Sequence, residues 1–289
     1  TPWNFPIAMI TRKCAPGLAV GCTFVVKPAE QTPYCALALV ALAEQAGMPK
    51  GVFNIITCDA PKAPEVGKVL CASPIVKKVT FTGSTEVGRI LMRQSADTVK
   101  KMGLELGGNA SFIVFDDADI GAAVEGAMAS KYRNTGQTCV CANRIYVQDK
   151  VYDAFAAKLT EKVKQMKEGQ GHEAGVMKSR ATDGPGGKKQ QWQVADAVSK
   201  GATVLTGGKP HVRGGQFYEP TVLANVTPAM RVSVEETFGP VAPLFRFQTE
   251  EEVIGLANAS EFGLASYFYS RDIGRVWRVA EALEVGLVG

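Results

Sequence analysis

Short apolar runs rich in β-branched residues alternate with longer apolar runs along the first part of the chain. Strands are predicted at residues 23–27, 52–56 and 79–82, and helices at residues 7–21, 33–46 and beyond residue 83. Pro16 is expected to interrupt the first helix, whereas Thr32 followed by Pro33 is a typical beginning for the second. The third helix is predicted to carry Val87, Ile90 and Leu91 on one apolar face. This alternation favours a parallel, doubly wound sheet.

The second part of the chain alternates in the same way. Strands are predicted at 112–115, 145–147, 202–205, 243–247 and 266–269, and helices at 120–132, 151–166, 250–257 and 274–283. Residues 168–191 are rich in glycine, lysine and glutamine and are predicted to form a loop. Gly107 and Gly108 have the composition of a hinge. We therefore expect an α/β fold with two domains, residues 1–107 and 108–289.

Composition excludes several classes of protein. The 289 residues are 46% hydrophobic, which is enough for a sizeable core, and the net charge of +4 comes from scattered basic residues. Nucleic acid is therefore not an expected partner, and no apolar run of about twenty residues predicts a membrane span. Seven cysteines without an extracellular spacing pattern favour a reducing compartment. The sequence begins at Thr1 rather than methionine, so a missing targeting peptide is uninformative.

Cys139 is the first candidate for chemistry. It follows a Thr-Gly turn at the end of the predicted helix 120–132, and such a turn can expose a thiol for nucleophilic attack. The alternative is a small buried hydrophobic side chain, which is the commoner role of cysteine. Cys141 lies two residues further on, and no second Cys/His pair completes a metal site with it. No metal is therefore predicted.

Glu105 is the candidate base for this thiol. His172 and His211 both lie in Gly- and Lys-rich segments that are typical of surface loops, so a Cys–His arrangement is poorly supported. Glu105 stands between two leucines and precedes Gly107, and burial there would raise its pKa toward the range of a general base. A buried glutamate with a structural role, or a strand end, is the alternative.

Two segments could hold a nucleotide. Residues 83–88 join a predicted strand to a helix, and Gly83 would let amide donors approach a phosphate. The alternative, which the segment by itself favours, is an ordinary capped helix. Glu30 follows a predicted strand and could accept hydrogen bonds from a ribose hydroxyl. Its alternative is a solvated loop carboxylate.

Six motifs in a fixed order make the chain resemble the aldehyde dehydrogenase superfamily, and within it the bacterial succinate-semialdehyde dehydrogenases. They are residues 1–6 (TPWNFP), 26–33 (VKPAEQTP), 81–85 (FTGST), 104–108 (LELGG), 136–139 (GQTC) and 235–240 (EETFGP). The resemblance covers nearly the whole chain. It implies a Rossmann-type parallel cofactor domain at residues 1–107 and an α/β catalytic domain at residues 108–289. It also implies a homo-oligomer, a dimer or tetramer, for the full-length protein, located in the cytoplasm or, in a eukaryote, the mitochondrial matrix.

The resemblance implies a mechanism for these residues. The Cys139 thiolate would attack the aldehyde carbonyl, and the Asn4 side chain with the Cys139 backbone N–H would hold the oxyanion. Hydride would pass to NAD, and Glu105 would then activate the water that hydrolyses the thioester. Cofactor contacts are implied for seven residues, namely Trp3, Lys27, Glu30, Gly83, Ser84, Glu236 and Phe238. Because the carboxylate of Glu30 would repel a 2′-phosphate, NAD is expected to be preferred, with NADP possible.

The substrate implied by the resemblance is succinate semialdehyde, an intermediate of 4-aminobutyrate degradation. Its carboxylate would be bound by Arg12 and Arg133. Cys141 is expected either to pack as a buried thiol or to form a disulfide with Cys139 under oxidation. There are two alternatives to this function. The protein could be a dehydrogenase for another carboxylated aldehyde such as glutarate semialdehyde, or an inactive nucleotide-binding module. Because family segments before residue 1 and after residue 289 are missing from the sequence, we expect a chain truncated at both ends.

Overall fold

The computed structural model describes residues 1–179, 181 and 184–289, and it divides into two compact units, Thr1–Gly107 and Gly108–Gly289. Both units combine helices with mainly parallel strands. The predicted α/β class is therefore confirmed.

The first unit contains four α-helices and four strands. They are α1 (Ala8–Ala19), β1 (Phe24–Val26), α2 (Pro33–Gln45), β2 (Phe53–Ile55), α3 (Ala63–Ala72), β3 (Lys78–Thr82), α4 (Thr85–Ser95) and β4 (Lys101–Glu105). Strand β1 pairs with β2, and β3 pairs with β4, both in parallel. The described residues thus form two separate parallel pairs, each with a helix in its crossover connection, rather than one continuous sheet.

Three details of the first unit differ from the sequence-based prediction. Helix α1 continues through Pro16 to Ala19, and its buried side chains, Met9, Ile10 and Cys14, all precede the proline. Helix α3 was not predicted. In α4, Leu91 is buried as expected, but Val87 and Ile90 are exposed. The helix instead directs Gly88 inward, where a β-carbon would overlap the side chain of Leu106.

The second unit is built on one seven-stranded sheet in the described part of the chain. Its elements are β5 (Ala110–Val114), α5 (Ile120–Tyr132), β6 (Ala142–Gln148), α6 (Asp149–Lys164), α7 (Gly184–Ser199), β7 (Thr203–Thr206), β8 (Thr221–Ala224), α8 (Arg231–Val234), β9 (Val241–Phe247), α9 (Glu250–Asn258), β10 (Ala265–Tyr269), α10 (Ile273–Ala282) and β11 (Leu287–Val288). The strand order is β11-β10-β5-β6-β9-β8-β7, and the β7–β8 pair alone is antiparallel.

Strand β5 is central to the core because it is buried on both faces. Ile113 packs into one apolar cluster, while Phe112 and Val114 pack into the cluster on the opposite face. A strand that is buried on both sides lacks the alternation of polar and apolar residues, which is why the sequence is continuously apolar from Phe112 to Val114.

The prediction of a loop at residues 168–191 is wrong for its last part. Helix α7 begins at Gly184, whereas residues 180, 182 and 183 lie outside the described residues. The helix is held by tertiary contacts, since Gln190 and Gln193 are buried and donate to backbone carbonyls of residues 235–238. Those contacts connect segments more than forty residues apart, so they leave no local pattern.

Candidate active site

Helix α5 precedes the predicted nucleophile, Cys139, and both of its ends are fixed by hydrogen bonds. It begins at the cap residue Asp119, whose Oδ1 accepts a hydrogen bond of 3.1 Å from the backbone N–H of Ala122. It ends at Tyr132, whose hydroxyl donates to the Thr221 carbonyl at 3.0 Å. Both ends are therefore fixed, and the segment that follows starts from a defined position.

Three consecutive residues with positive φ follow the helix. Asn134 (φ 51°), Thr135 (φ 61°) and Gly136 (φ 74°) turn the chain sharply. A β-branched residue such as Thr135 is strained in this region, and it is held there by its burial and by a 3.1 Å hydrogen bond from its hydroxyl to the Ser179 carbonyl. Gly136 must lack a side chain, because a β-carbon there would overlap the Gly239 carbonyl.

Residues 138–141, which we call the nucleophile turn, contain Cys139. The backbone N–H of Cys141 donates to the Thr138 carbonyl at 3.0 Å, and the Tyr267 hydroxyl donates to the Val140 carbonyl at 2.9 Å. Cys139 itself is half-buried. Cys139 therefore belongs to a turn that two hydrogen bonds hold in place, and the residue keeps some access to solvent.

Gly108 connects the nucleophile turn to Glu236. Its Cα lies against the Cys139 carbonyl, and its backbone N–H donates to Glu236 Oε1 at 3.0 Å. Glu236 is followed by Phe238, whose backbone is left-handed (φ 49°) and whose carbonyl accepts from Gln190. Two residues that the resemblance connects with the cofactor thus lie in a segment fixed close to Cys139.

Cys141 and Lys131 form a buried pair behind the nucleophile turn. The Cys141 thiol donates to the Lys131 carbonyl at 3.3 Å, and the fully buried Lys131 ammonium donates to Asn143 Oδ1 at 2.8 Å. Burial raises the pKa of Cys141 and lowers the pKa of Lys131, and each of the two groups partly offsets this effect on the other. At neutral pH Cys141 is therefore a protonated thiol.

A cavity of about 500 Å³ lies in the second unit beside this turn. Thr138 and Val140, the neighbours of Cys139, line it together with Arg133, Tyr267 and Tyr269. The lining combines aromatic rings with one exposed guanidinium, which suits a short ligand that has an apolar body and an anionic end.

Lys27 and Glu30 meet in the first unit, with Nζ 3.0 Å from Oε2. Burial works to raise the pKa of Glu30, but hydrogen bonds from its own backbone N–H and from Lys27 outweigh it and lower that pKa. A second cavity of about 510 Å³ is lined by Glu30, Pro28, Cys58 and Asp59. Asp59 was not singled out from the sequence, since a lone acid after a strand carries no signal.

Gly83, Ser84 and Glu105 lie together at one end of the β3–β4 pair. The backbone N–H of Gly83 donates to the Glu105 carbonyl at 3.1 Å, and Ser84 Oγ caps α4 by accepting from the Val87 N–H at 3.3 Å. Glu105 is the last residue of β4 and is half-buried rather than buried, because a strand end lacks the cover of a strand centre. Its carboxyl group is thus within reach of water.

The remaining predicted residues of the first unit surround the beginning of α1. Trp3 and Asn4 precede the helix and are half-buried, and Arg12 is exposed on it. Lys13, which was not predicted, donates to Thr80 Oγ1 at 2.9 Å, and burial lowers its pKa.

Among residues 1–179, 181 and 184–289, no group of three or more His, Cys, Asp or Glu side chains could hold a metal ion. In the same part of the chain, no helix has the length and apolarity that crossing a membrane requires.

Fold and site together define a two-unit α/β protein with a cysteine in a rigid turn and a carboxylate-bearing segment fixed beside it. The chain belongs to the aldehyde dehydrogenase family, whose model matches residues 1–289. The resemblance carried by the six motifs is therefore confirmed.

Three relatives illustrate the range of similar proteins. The chain is 62% identical to the glutarate-semialdehyde dehydrogenase of Pseudomonas aeruginosa and 59% identical to the NADP-dependent succinate-semialdehyde dehydrogenase GabD of Escherichia coli. It matches the crystal structure of succinate-semialdehyde dehydrogenase from Burkholderia pseudomallei with a TM-score of 0.97 at 62% identity. Each match covers 100% of this chain and 59% of the relative. The chain thus spans about three fifths of the length of these relatives.

Proposed function

We propose that the protein oxidises a short aldehyde with an anionic end to the corresponding carboxylic acid through a covalent bond to Cys139. The observation that carries the proposal is the nucleophile turn. It holds the half-buried Cys139 between Thr138 and Val140, which line the cavity bordered by Arg133, while Cys139 itself is not part of the lining. The relatives named above act on semialdehydes with a carboxylate at the far end, which fits such a cavity.

The first step is nucleophilic attack. Cys139 Sγ forms a bond to the aldehyde carbon, and the carbonyl π electrons move to oxygen. In the proposed mechanism the Cys139 backbone N–H and the Asn4 amide donate hydrogen bonds to that oxygen and stabilise its charge.

The second step oxidises the carbon bonded to Cys139 by two electrons, and the third step releases the acid. Bound NAD would act as the hydride acceptor of the second step. Glu105 then takes a proton from water, hydroxide adds to the thioester carbon, and the carbon–sulfur bond breaks to return the Cys139 thiolate. The access of water to the half-buried carboxyl of Glu105 is consistent with this role.

The residues present fit the cofactor. The cavity lined by Glu30 and Asp59 offers carboxylate oxygens that can accept hydrogen bonds from ribose hydroxyl groups. At Gly83 there is no room for a side chain, because a β-carbon would overlap the Phe81 ring. Lys27 would reach the same ribose, Ser84 the pyrophosphate, and Glu236 the second ribose. Trp3 and Phe238 would pack along the dinucleotide. We propose NAD as the preferred cofactor, since two carboxylates line this cavity.

Succinate semialdehyde is the proposed substrate, and glutarate semialdehyde is the second candidate. Both carry a carboxylate that Arg133 and Arg12 would bind, and they differ by one methylene group, which is worth only about 1–3 kcal/mol in a pocket of this kind. The two curated relatives named above carry one of these substrates each in their names, so the preference for the longer or the shorter aldehyde is the property to measure.

The test measures NADH absorbance with succinate semialdehyde, glutarate semialdehyde and butanal, for the wild-type protein and for Cys139→Ala. We expect NADH from both semialdehydes, more slowly from butanal, and none in the variant. NAD binding by calorimetry without any NADH would overturn the proposal and favour a nucleotide-binding module. The expected homo-oligomer and the cytoplasmic location stay predictions, and both concern the full-length protein.

A further inference from the structure

The Tyr267 hydroxyl reaches the nucleophile turn from a distant strand. Tyr267 lies in β10, 127 residues after Val140 in the chain, and its hydroxyl donates to the Val140 carbonyl at 2.9 Å. The ring lines the same cavity as Arg133. Burial raises the pKa of Tyr267, and negative charge on the Cys141 or Cys139 sulfur would raise it further. The hydroxyl is therefore a permanent donor at neutral pH.

This hydrogen bond is the first in a series that passes through two peptide groups. The Val140 carbonyl and the Cys141 N–H belong to one peptide group, and that N–H donates to the Thr138 carbonyl at 3.0 Å. The Thr138 carbonyl and the Cys139 N–H belong to the next peptide group. Hydrogen bonds in such a series polarise one another, so a donor at one end strengthens the N–H at the other end.

We propose that Tyr267 is a positioning residue that orients and polarises the backbone N–H of Cys139, the donor that stabilises the oxyanion. This inference rests on the proposed function, in which that N–H binds the developing charge. The Tyr267 ring lines the cavity, but in this role its hydroxyl acts through the Val140 and Thr138 carbonyls rather than on the substrate itself.

Two reactions of the Cys139 thiol separate this role from a general effect on the thiol. In acylation by p-nitrophenyl acetate, sulfur bonds to the carbonyl carbon, a tetrahedral oxyanion forms, and nitrophenolate leaves with the electrons of the broken carbon–oxygen bond. In alkylation by iodoacetamide, the carbon–sulfur bond forms as iodide leaves, and no oxyanion appears. The ratio of the two rate constants therefore reports on stabilisation of the oxyanion and not on the reactivity of the thiol in general.

The decisive variant is Tyr267→Phe, which keeps the ring and removes only the hydroxyl. We expect the acylation rate constant to fall roughly three- to tenfold, the effect of one hydrogen bond, while alkylation of Cys139 stays within about twofold. The matched control is Tyr152→Phe, which removes another tyrosine hydroxyl that donates to a backbone carbonyl but does not line this cavity, and it should change neither rate. Rates are corrected for the reaction of Cys139→Ala, and alkylation is located by peptide mass, with exposed Cys22 as internal reference.

Several outcomes would overturn the proposal. One is a parallel loss of both rates in Tyr267→Phe, and another is an equal loss of acylation in Tyr152→Phe. Unchanged acylation in Tyr267→Phe would also overturn it, as would acylation of the wild-type protein no faster than that of Cys139→Ala. Neither reaction needs a cofactor or yields NADH, so a failure of the proposed dehydrogenase activity would be seen separately. In the NADH assay, if that activity is present, kcat should fall in Tyr267→Phe while KM for aldehyde and cofactor stays unchanged.

Discussion

Gly108 lies so close to Cys139 that a β-carbon at Gly108 would overlap the Cys139 carbonyl oxygen. The same glycine donates its N–H to Glu236 and accepts a hydrogen bond from the Asn143 side chain at 3.3 Å. One residue without a side chain thus joins the predicted nucleophile to a predicted cofactor residue. The second glycine of the LELGG motif is therefore required by space at the candidate site.

Gly108→Ala is expected to destabilise the second unit by about 1–3 kcal/mol, the usual cost of forcing extra volume into packed structure. It should also abolish most of the reactivity of Cys139. Urea unfolding and iodoacetamide alkylation measure the two effects. Gly255→Ala is the control, because Gly255 is exposed in α9 with open space at its β-carbon, and alanine should stabilise that helix by up to about 1 kcal/mol. Equal stability of Gly108→Ala and wild type would contradict the close contact.

Glu30→Gln is expected to change the cofactor preference. Removing the carboxylate removes its repulsion of a 2′-phosphate and frees Lys27 from its 3.0 Å ion pair, so kcat/KM with NADP should rise at least about tenfold relative to NAD. Asp59→Asn is the control at the same cavity, and a smaller change is expected because this substitution leaves the ion pair between Lys27 and Glu30 intact. If the wild-type protein uses NADP better than NAD, the role of Glu30 is wrong.

Arg133→Ala is expected to raise KM for succinate semialdehyde roughly 10- to 100-fold, the effect of losing hydrogen bonds to a charged group. KM for butanal, which has four carbons and no carboxylate, should change little. Arg133→Lys keeps the charge but loses the planar fork, so it should recover only part of the affinity. The same direction is expected for Arg12→Ala. An equal rise of KM for both aldehydes would remove the carboxylate-binding role.

Cys141→Ala is expected to make oxidative inactivation harder to reverse. In the wild-type protein, peroxide would oxidise Cys139 to a sulfenic acid. The buried Cys141 thiol would then form a disulfide with Cys139, which dithiothreitol reduces. Activity recovered after thiol treatment is the measurement, with the loss of two hydrogens in the intact mass as support. Cys71→Ala, another buried thiol, is the control. Equal recovery in Cys141→Ala and wild type would show that Cys141 is only a packed side chain.

Asp117→Asn is expected to lower the free energy of unfolding by about 1–2 kcal/mol at pH 7. Burial alone would raise the pKa of Asp117, but hydrogen bonds from Ser270, Arg271 and Asp272 lower it. A lowered folded-state pKa gives stability that is present above the ordinary value of 3.8 and lost as the pH falls through the folded value.

Urea unfolding of wild type and Asp117→Asn at pH 7 and pH 3 tests this sign. The difference between the two proteins should narrow at pH 3. Asp97→Asn, at an exposed position, should change stability by less than about 0.5 kcal/mol at either pH. A difference that widens on acidification would contradict the assignment.

Much of the architecture follows from local pattern. The apolar run that predicts a helix at residues 120–132 coincides with α5, and the apolar residues 112–115 overlap β5. Strand and helix types depend on periodicity and on caps such as Asp119, which act within a few residues of the chain. The six motifs likewise identify the family because they are short and contiguous.

The sequence by itself therefore determined the α/β class, the family and the candidate thiol at Cys139. Only the tertiary structure decided that α7 begins at Gly184, that Gly108 lies against Cys139, and that Tyr267 donates to Val140. Each of these features depends on contacts between segments that lie at least thirty residues apart in the sequence. The hydrophobic periodicity of the sequence reveals neither the direction of a single hydroxyl group nor a position where a β-carbon does not fit. Such contacts exist only once the sheet has brought β5, β6 and β10 side by side.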